Sequence, residues 1–296
     1  MKAKIIDHNF ISPNVIASYL LDSSDGAILI ESGPSTTFAS VEKGLAEHGV
    51  RPEDIRHVFV THIHLDHSGG AWRYARNGAK VYVHPKGAEH LTAPERLVSS
   101  AARVFGDRME TLWGDVQPVA DDMVTVVEDG ETISVGDLKI RAFDTPGHAG
   151  HHHCYLVDGT LFTGDAAGVR IDSGAVIPPT PPPEINIELW QGTVEKIREI
   201  SPDSLCPTHF GRHTDVSAHL DNMSETLDEF SSWVGARVEK GEDESEIVRD
   251  FQKKIEDRVT SVRDEPVLLD AYRNTDTVGM NTGGLVRYWK KFRMAE

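Results

Sequence analysis

The chain has 296 residues, 39% hydrophobic and 26% charged, enough for one large domain or a domain with an appendage around a sizeable core. Its 30 basic against 47 acidic residues leave a formal charge of −17, which argues against a nucleic-acid-binding surface, because neutralising phosphates needs clustered Lys and Arg. Cys154 and Cys206 alone make no disulfide framework, and no signal-peptide pattern or membrane-length apolar run is present, so a cytoplasmic protein without membrane association is expected.

IIDHNF (5–10), VIASYLL (15–21) and GAILIE (26–31) read as short strands, with Ser23-Ser24-Asp25-Gly26 as a hairpin turn. STTFASVEKGLAEHG (35–49) reads as a helix that Ser35 or Thr36 can cap and Gly49 ends. HVFVT (57–61) is nearly all apolar, β-branched or aromatic, as a buried strand is, and AKVYVHP (79–85) is the next strand. Residues 86–114 are helical and partly charged. VTVVEDGETISVGDLKIRAFDTPGH (124–148) has the pattern of a β-meander, and HCYLVDGTLFTGDA (153–166) that of a hairpin turning at Asp158-Gly159. The five prolines of SGAVIPPTPPPEIN (173–186) predict a stiff surface loop. EINIELWQGTVEKIREI (184–200) is an amphipathic helix, and DSLCPTHFG (203–211) a last strand and loop.

From about residue 215 the character changes. Leu220, Met223, Leu227, Phe230 and Val234 recur at three- and four-residue spacing along one face of a long helix, a stripe read as core packing. The expected division is a domain over 1–214 and a C-terminal helical extension over 215–296. Two sheets covered on the outside by helices would satisfy the pattern.

Behind the strand at 57–61 stands THIHLDHSGG (61–70), with three histidines and an aspartate in six consecutive positions. After an extended strand, side chains two apart point the same way, so His62 and His64 can converge on one cation. Asp66 and His67 follow where the chain turns towards a helix, and can address a second. Imidazole suits Zn²⁺, Fe²⁺ or Mn²⁺, and a carboxylate adds a hard oxygen ligand. Structural zinc sites favour cysteine, and neither cysteine is here, which points to an open, reactive site. Gly69 and Gly70 are expected to let the backbone pass the site without Cβ clashes. Three later strand ends offer further ligands: His148 in TPGH, Asp165 in FTGDA and His209 in PTHFG.

In this order the motifs THIHLDHSGG, TPGH, FTGDA and PTHFG resemble the signature of the metallo-β-lactamase fold superfamily, over about residues 15–211. The resemblance implies an α+β fold, an αββα sandwich with metals at one edge of its two sheets, here carrying a C-terminal helical extension. It implies that His62, His64 and His148 hold one metal, that Asp66, His67 and His209 hold the other, and that Asp165 bridges them. Two divalent cations are implied, zinc before iron or manganese. The implied activity is metal-dependent hydrolysis of an ester, thioester or lactone of a small molecule by a metal-bridging hydroxide, with Asp66 as the catalytic proton carrier. The implied partner is a small acyl substrate, and a homodimer is compatible with the resemblance.

Two stretches depart from the family pattern. Glu31 in ESGPS stands where aspartate is more usual, and is expected to support the ligands from behind. In TPGHAGHHHCY, His151 replaces a glycine, and His151, His152 and His153 are expected to be supporting or structural residues. Among the family's branches, hydroxyacylglutathione hydrolases share the ligand set and a C-terminal helical region whose basic residues grip glutathione. The comparable cluster here is LVRYWKKFR (285–293), read as an amphipathic terminal helix with solvated cations. Acyl-homoserine lactonases place a tyrosine after the bridging aspartate, and AAGVRIDSG has none. The alternative reading is a persulfide dioxygenase-like oxidoreductase using one iron. Residues 86–114, 173–186 and the C-terminal helices are expected to wall the substrate cleft.

Overall fold

The computed structural model describes residues 3–275 and 279–294. Two sheets lie face to face. The first has six strands in chain order: β1 (Lys4–Asp7), β2 (Ala17–Leu21), β3 (Ala27–Ile30), β4 (Ile55–Phe59), β5 (Lys80–Val83) and β6 (Val124–Val126). Its first three strands are antiparallel neighbours, and β3 to β6 run parallel. The second sheet has five strands: β7 (Thr132–Val135), β8 (Leu138–Asp144), β9 (His153–Val157), β10 (Thr160–Gly164) and β11 (Ser204–Pro207). They lie in the order β11-β10-β9-β8-β7, all antiparallel except β10 and β11.

Strand alternation builds the layers. On β2, Tyr19 and Leu21 face the second sheet while Leu20 faces outward, and Ile28 and Ile30 against Leu29 repeat the split on β3. Between the sheets, Phe59 stacks on Tyr82 at 4.1 Å and meets Tyr155 edge-on at 5.3 Å. Truncating a ring this buried costs about 3–5 kcal/mol. The first sheet's outer face is covered by α1 (Phe38–Ala46) and α3 (Ala71–Arg76), after the single turn α2 (Leu65–Ser68). The short helices α4 (Ala88–Thr92), α5 (Glu95–Phe105) and α6 (Met109–Leu112) follow β5.

The second sheet's outer face is covered by α7 (Ile187–Ile200) and the C-terminal helices α8 (Val216–Glu239), α9 (Glu244–Val262), α10 (Pro266–Thr275) and α11 (Met280–Tyr288). Leu220, Met223, Leu227, Phe230 and Val234 of α8 are buried in one cluster with Trp190 of α7 and Leu161 and Leu205 of the sheet. Residues on both sides of position 214 therefore share a core. No helix among the described residues is long and apolar enough to cross a membrane.

Three local expectations are corrected. The first strand stops at Asp7, because Asn9 and Ile11 take left-handed φ values of 50° and 61°. Residues 86–114 are helical as expected, in pieces interrupted near Pro94 and at Gly106, whose φ is +52°. Residues 124–148 are not one meander. β6 pairs with β5 in the first sheet, and the chain then crosses to the second, with Val127 N–H donating to Val83 O and Gly130 N–H to Ala142 O. The proline-rich loop is not wholly a surface loop: Ala175, Val176, Ile177 and Thr180 are buried. Tyr272 of α10 donates to Ala175 O at 2.5 Å, and Asn281 of α11 accepts from Thr180 N–H at 2.6 Å. The C-terminal helices lie on this loop.

Candidate metal centre

The chain leaves β4, β8, β10 and β11 at one edge of the sandwich. Parallel pairing of β10 with β11, with Gly164 opposite Pro207, brings Asp165 beside Thr208 and His209. Gly164 turns the chain there with φ +51°. A Cβ at that position would lie 2.4 Å from Thr61 Oγ1 and 2.7 Å from His152 Nε2, so only glycine fits. Gly70 makes room for something other than the centre. Its N–H donates to Gly33 O at 2.7 Å, and an added Cβ would crowd Gly33 O and Ser32 O at 3.1 and 3.2 Å.

His62, His64 and His148 place ligand nitrogens within 4.8 Å of one another, as do the donor atoms of Asp66, His67 and His209. Asp165 lies between: Oδ2 is 3.3 Å from His148 Nε2, while Oδ1 is 3.4 Å from His67 Nε2 and 3.6 Å from His209 Nε2. His62, His67, His148, Asp165 and His209 are all at most 5% exposed.

Counting protons shows what such a cluster needs. His209 Nδ1 faces Val15 O at 2.6 Å, and His148 Nδ1 faces Pro179 O at 2.8 Å. A carbonyl only accepts, so both rings carry a proton on Nδ1 and, when neutral, turn an Nε2 lone pair inward. His67 Nδ1 donates to Glu31 Oε1 at 3.0 Å. His62 Nδ1 sits 3.1 Å from Thr61 Oγ1, whose own proton goes to Glu31. In the neutral rings four inward Nε2 lone pairs thus converge on the carboxylates of Asp66 and Asp165 and on His64 Nδ1, which is 2.8 Å from His62 Nε2 and 3.1 Å from His148 Nε2 and can donate a proton to only one of them. His67 Nε2 and Asp165 Oδ1 are buried with no hydrogen-bond partner. Acceptors facing acceptors are costly unless a proton or a cation stands between them. A divalent cation satisfies them, and the donor set of imidazoles and carboxylates is one such cations take.

Electrostatics agree. Burial, followed by the neighbouring histidines, holds His62 and His64 well below the usual imidazole value, and burial lowers His148 to about 3. These rings are neutral and ready to ligate. Burial also opposes charge on His67, but Asp66, Asp165 and Glu31 outweigh it and raise its pKa well above 6.5. His209 is raised in the same way by Asp165 and Asp66. Without a cation, a proton partly neutralises this carboxylate pair.

Behind the ligands, Glu31 accepts from Thr61 Oγ1 at 2.5 Å, Thr61 N–H at 3.1 Å, Thr208 Oγ1 at 3.0 Å and the His67 ring. Its left-handed φ of +67° is strain held at a functional edge. Sequence reasoning missed the two threonines. Their signal was the repeated Thr-His pair, Thr61-His62 and Thr208-His209, at two strand ends. His152 donates from Nδ1 to Thr145 Oγ1 at 2.8 Å and accepts Asp165 N–H at Nε2, fixing the aspartate's backbone. His151 lines the cavity in front of the centre.

That cavity has a volume of about 340 Å³, in the range of small-molecule sites. His64, Asp66, His148, Asp165 and His209 reach it, with residues from α5, from Pro179–Glu184 and from the C-terminal helices around them. None of the described residues in 285–293 lines it. Arg293 pairs with Glu188, and Lys290 with Glu244.

A model of the Metallo-beta-lactamase superfamily matches residues 11–209. The chain is 30% identical over 203 residues to a metallo-beta-lactamase fold-containing protein of Sulfurisphaera tokodaii, a match covering 67% of this chain and 74% of that protein. The crystal structure of an archaeal metallo-beta-lactamase superfamily protein from Sulfolobus tokodaii is similar with a TM-score of 0.65 at 26% identity, over 92% of this chain and 93% of that one. A hydroxyacylglutathione hydrolase of Maricaulis maris is 37% identical over 114 residues, 38% of this chain and 33% of that protein.

Proposed function

Since the chain belongs to the metallo-β-lactamase superfamily, we propose that its centre holds two divalent cations and hydrolyses an ester, thioester or lactone of a small molecule. The observation that carries this reading is the set of inward lone pairs facing Asp165 and Asp66 at the floor of an open cavity. When bound, such cations would supply Lewis acidity towards a carbonyl and would lower the pKa of a water from 15.7 to about 7.

The protein's own groups do the rest. His62, His64 and His148 form one donor set and Asp66, His67 and His209 the other, with one oxygen of Asp165 towards each. Val15 O, Pro179 O and Glu31 hold three of the rings in the ligating tautomer. Without a cation, burial opposes the charge on Asp66, but His67 and His209 outweigh it and hold its pKa well below the usual carboxylate value; a bound cation would favour the ionised carboxylate in their place. The Asp66 carboxylate takes a proton from the attacking water and returns it to the leaving oxygen or sulfur as the acyl bond breaks, giving an acid and an alcohol or thiol.

The partial likeness to a hydroxyacylglutathione hydrolase supports a thioester as one substrate class. The ion pairs of residues 290 and 293 with Glu244 and Glu188 give no support to a glutathione grip from that cluster. The test is a screen of thioesters, lactones and aryl esters with metal-reconstituted protein, run beside elemental analysis. The expected result is two cations per chain and turnover of at least one class. A single Fe²⁺ with oxygen uptake and no hydrolysis would overturn the reading in favour of a dioxygenase.

A further inference from the structure

Helix α5 is amphipathic, yet none of its eleven residues is buried. Leu97, Ala101, Val104 and Phe105 share one face at helical spacing, the arrangement that normally turns inward to a core. Here all four line the cavity over the metal centre, and Val104 is 42% exposed. The wall continues beyond the helix. Phe10 and Trp113 stack at 5.5 Å, and Phe105 meets Trp113 edge-on at 5.0 Å. Phe10 and Trp113 belong to one apolar cluster with Leu65, the residue before Asp66. An apolar surface therefore runs from α5 to the neighbour of the proposed proton carrier, inside a cavity of about 340 Å³.

Left wet, such a surface is unfavourable, and each methylene buried against it improves binding about fourfold. Its continuity with the cavity that holds His64, Asp66 and His209 identifies the occupant as part of the substrate. Resting on the hydrolase reading above, we propose that this wall binds an apolar chain several carbons long attached to the hydrolysed carbonyl group, on its acyl or its alcohol side. The preferred substrates are esters, thioesters or lactones with such a chain, in place of small polar acyl groups.

The experiment uses the full-length, metal-reconstituted protein. One series varies the acyl chain of p-nitrophenyl esters from acetyl to decanoyl, and a second varies the alcohol of acetate esters over the same lengths. Calorimetry compares binding of octanoate with acetate, a readout independent of turnover. The expected result is a rise in kcat/KM of at least about tenfold from two to eight carbons in one series, which identifies the side, and octanoate binding at least about tenfold tighter than acetate. Val104→Asp should cut both ratios about tenfold. Arg103→Ala, an exposed residue of α5 that does not line the cavity, should leave them unchanged. Flat series with equal octanoate and acetate binding would overturn the inference, while turnover of acetyl esters in that experiment would keep the hydrolase reading. Tighter octanoate binding without turnover of any ester would sink the hydrolase reading and uphold the apolar site.

Discussion

Two groups of histidines and carboxylates sit at the same edge of the sandwich, and only one asks for a metal. His84, Asp144 and His153 crowd their donor atoms within 4.8 Å, as the central ligands do. Here the ring nitrogens that face the carboxylate supply protons to it, although His153 Nδ1, on the far side of its ring, is buried without a hydrogen-bond partner. Lys86 N–H donates to His84 Nδ1 at 3.0 Å, so that ring carries its proton on Nε2 and donates it to Asp144 Oδ1 at 3.0 Å. His153 Nε2 reaches the same oxygen at 2.7 Å, and the two residues are cross-strand partners of β8 and β9. This is a carboxylate hydrogen-bonded by imidazoles beside a capped turn. Around Asp165 the pinned protons all point outward and acceptors meet acceptors. Proximity of ligand-type residues is therefore a weak criterion, and whether the nitrogens that face the carboxylate can donate to it is a stronger one.

The largest test of this contrast substitutes the two aspartates in parallel. Asp165→Ala should lower hydrolytic turnover by at least about a hundredfold and remove one or both cations, since even groups behind the ligands are worth 10–100-fold. Asp144→Ala should leave the metal content of the protein unchanged. Elemental analysis after gel filtration reads both, and an Asp165→Ala protein that keeps two tightly held cations would break the comparison.

A smaller effect is expected one layer out. Glu31→Ala removes the acceptor of His67, Thr61 and Thr208 together, freeing the His67 ring to choose the other tautomer. Metal affinity should fall about 10–100-fold with the ligands themselves intact. Competition with a chromophoric chelator measures it, and an unchanged affinity would show that Glu31 serves only the fold.

The smallest effect belongs to the second cluster and to acid. Burial, then His84, lowers the His153 pKa to about 4 against the pull of Asp144. An unfolded histidine takes up its proton near 6.5. Between those values the unfolded state binds the extra proton, so stability present above pH 6.5 is lost as the pH falls towards 4. The loss is about 1.4 kcal/mol per pH unit for each proton. His153→Gln should make this acid slope shallower by up to one proton without altering metal content, as read by urea unfolding of metal-free protein at several pH values. An unaltered slope would mean that His153 titrates as it does in the unfolded chain.

Much of the centre was legible in the sequence because strand ends carry it. Apolar runs stop at Thr61, Gly164 and Thr208, and the residues beyond each have little to do but face the edge. The layering was legible from the alternation in β2 and β3. What decides between a metal and a hydrogen bond was not legible. It rests on Val15 O and Pro179 O, backbone acceptors 194 and 31 residues from the rings they hold. The sheet that β6 joins was hidden for a related reason: a short β-run with turns reads alike whether its partner is local or across the sandwich. The burial of the proline-rich loop depends on Tyr272 and Asn281, about a hundred residues later in the chain.

Anomalous diffraction from crystals grown with Zn²⁺ distinguishes the two clusters. The expected result is two peaks, one among His62, His64 and His148 and one among Asp66, His67 and His209, flanking Asp165, and no peak at Asp144. A peak coordinated by His84, Asp144 and His153, or an empty centre at Asp165 in zinc-replete crystals, would contradict it.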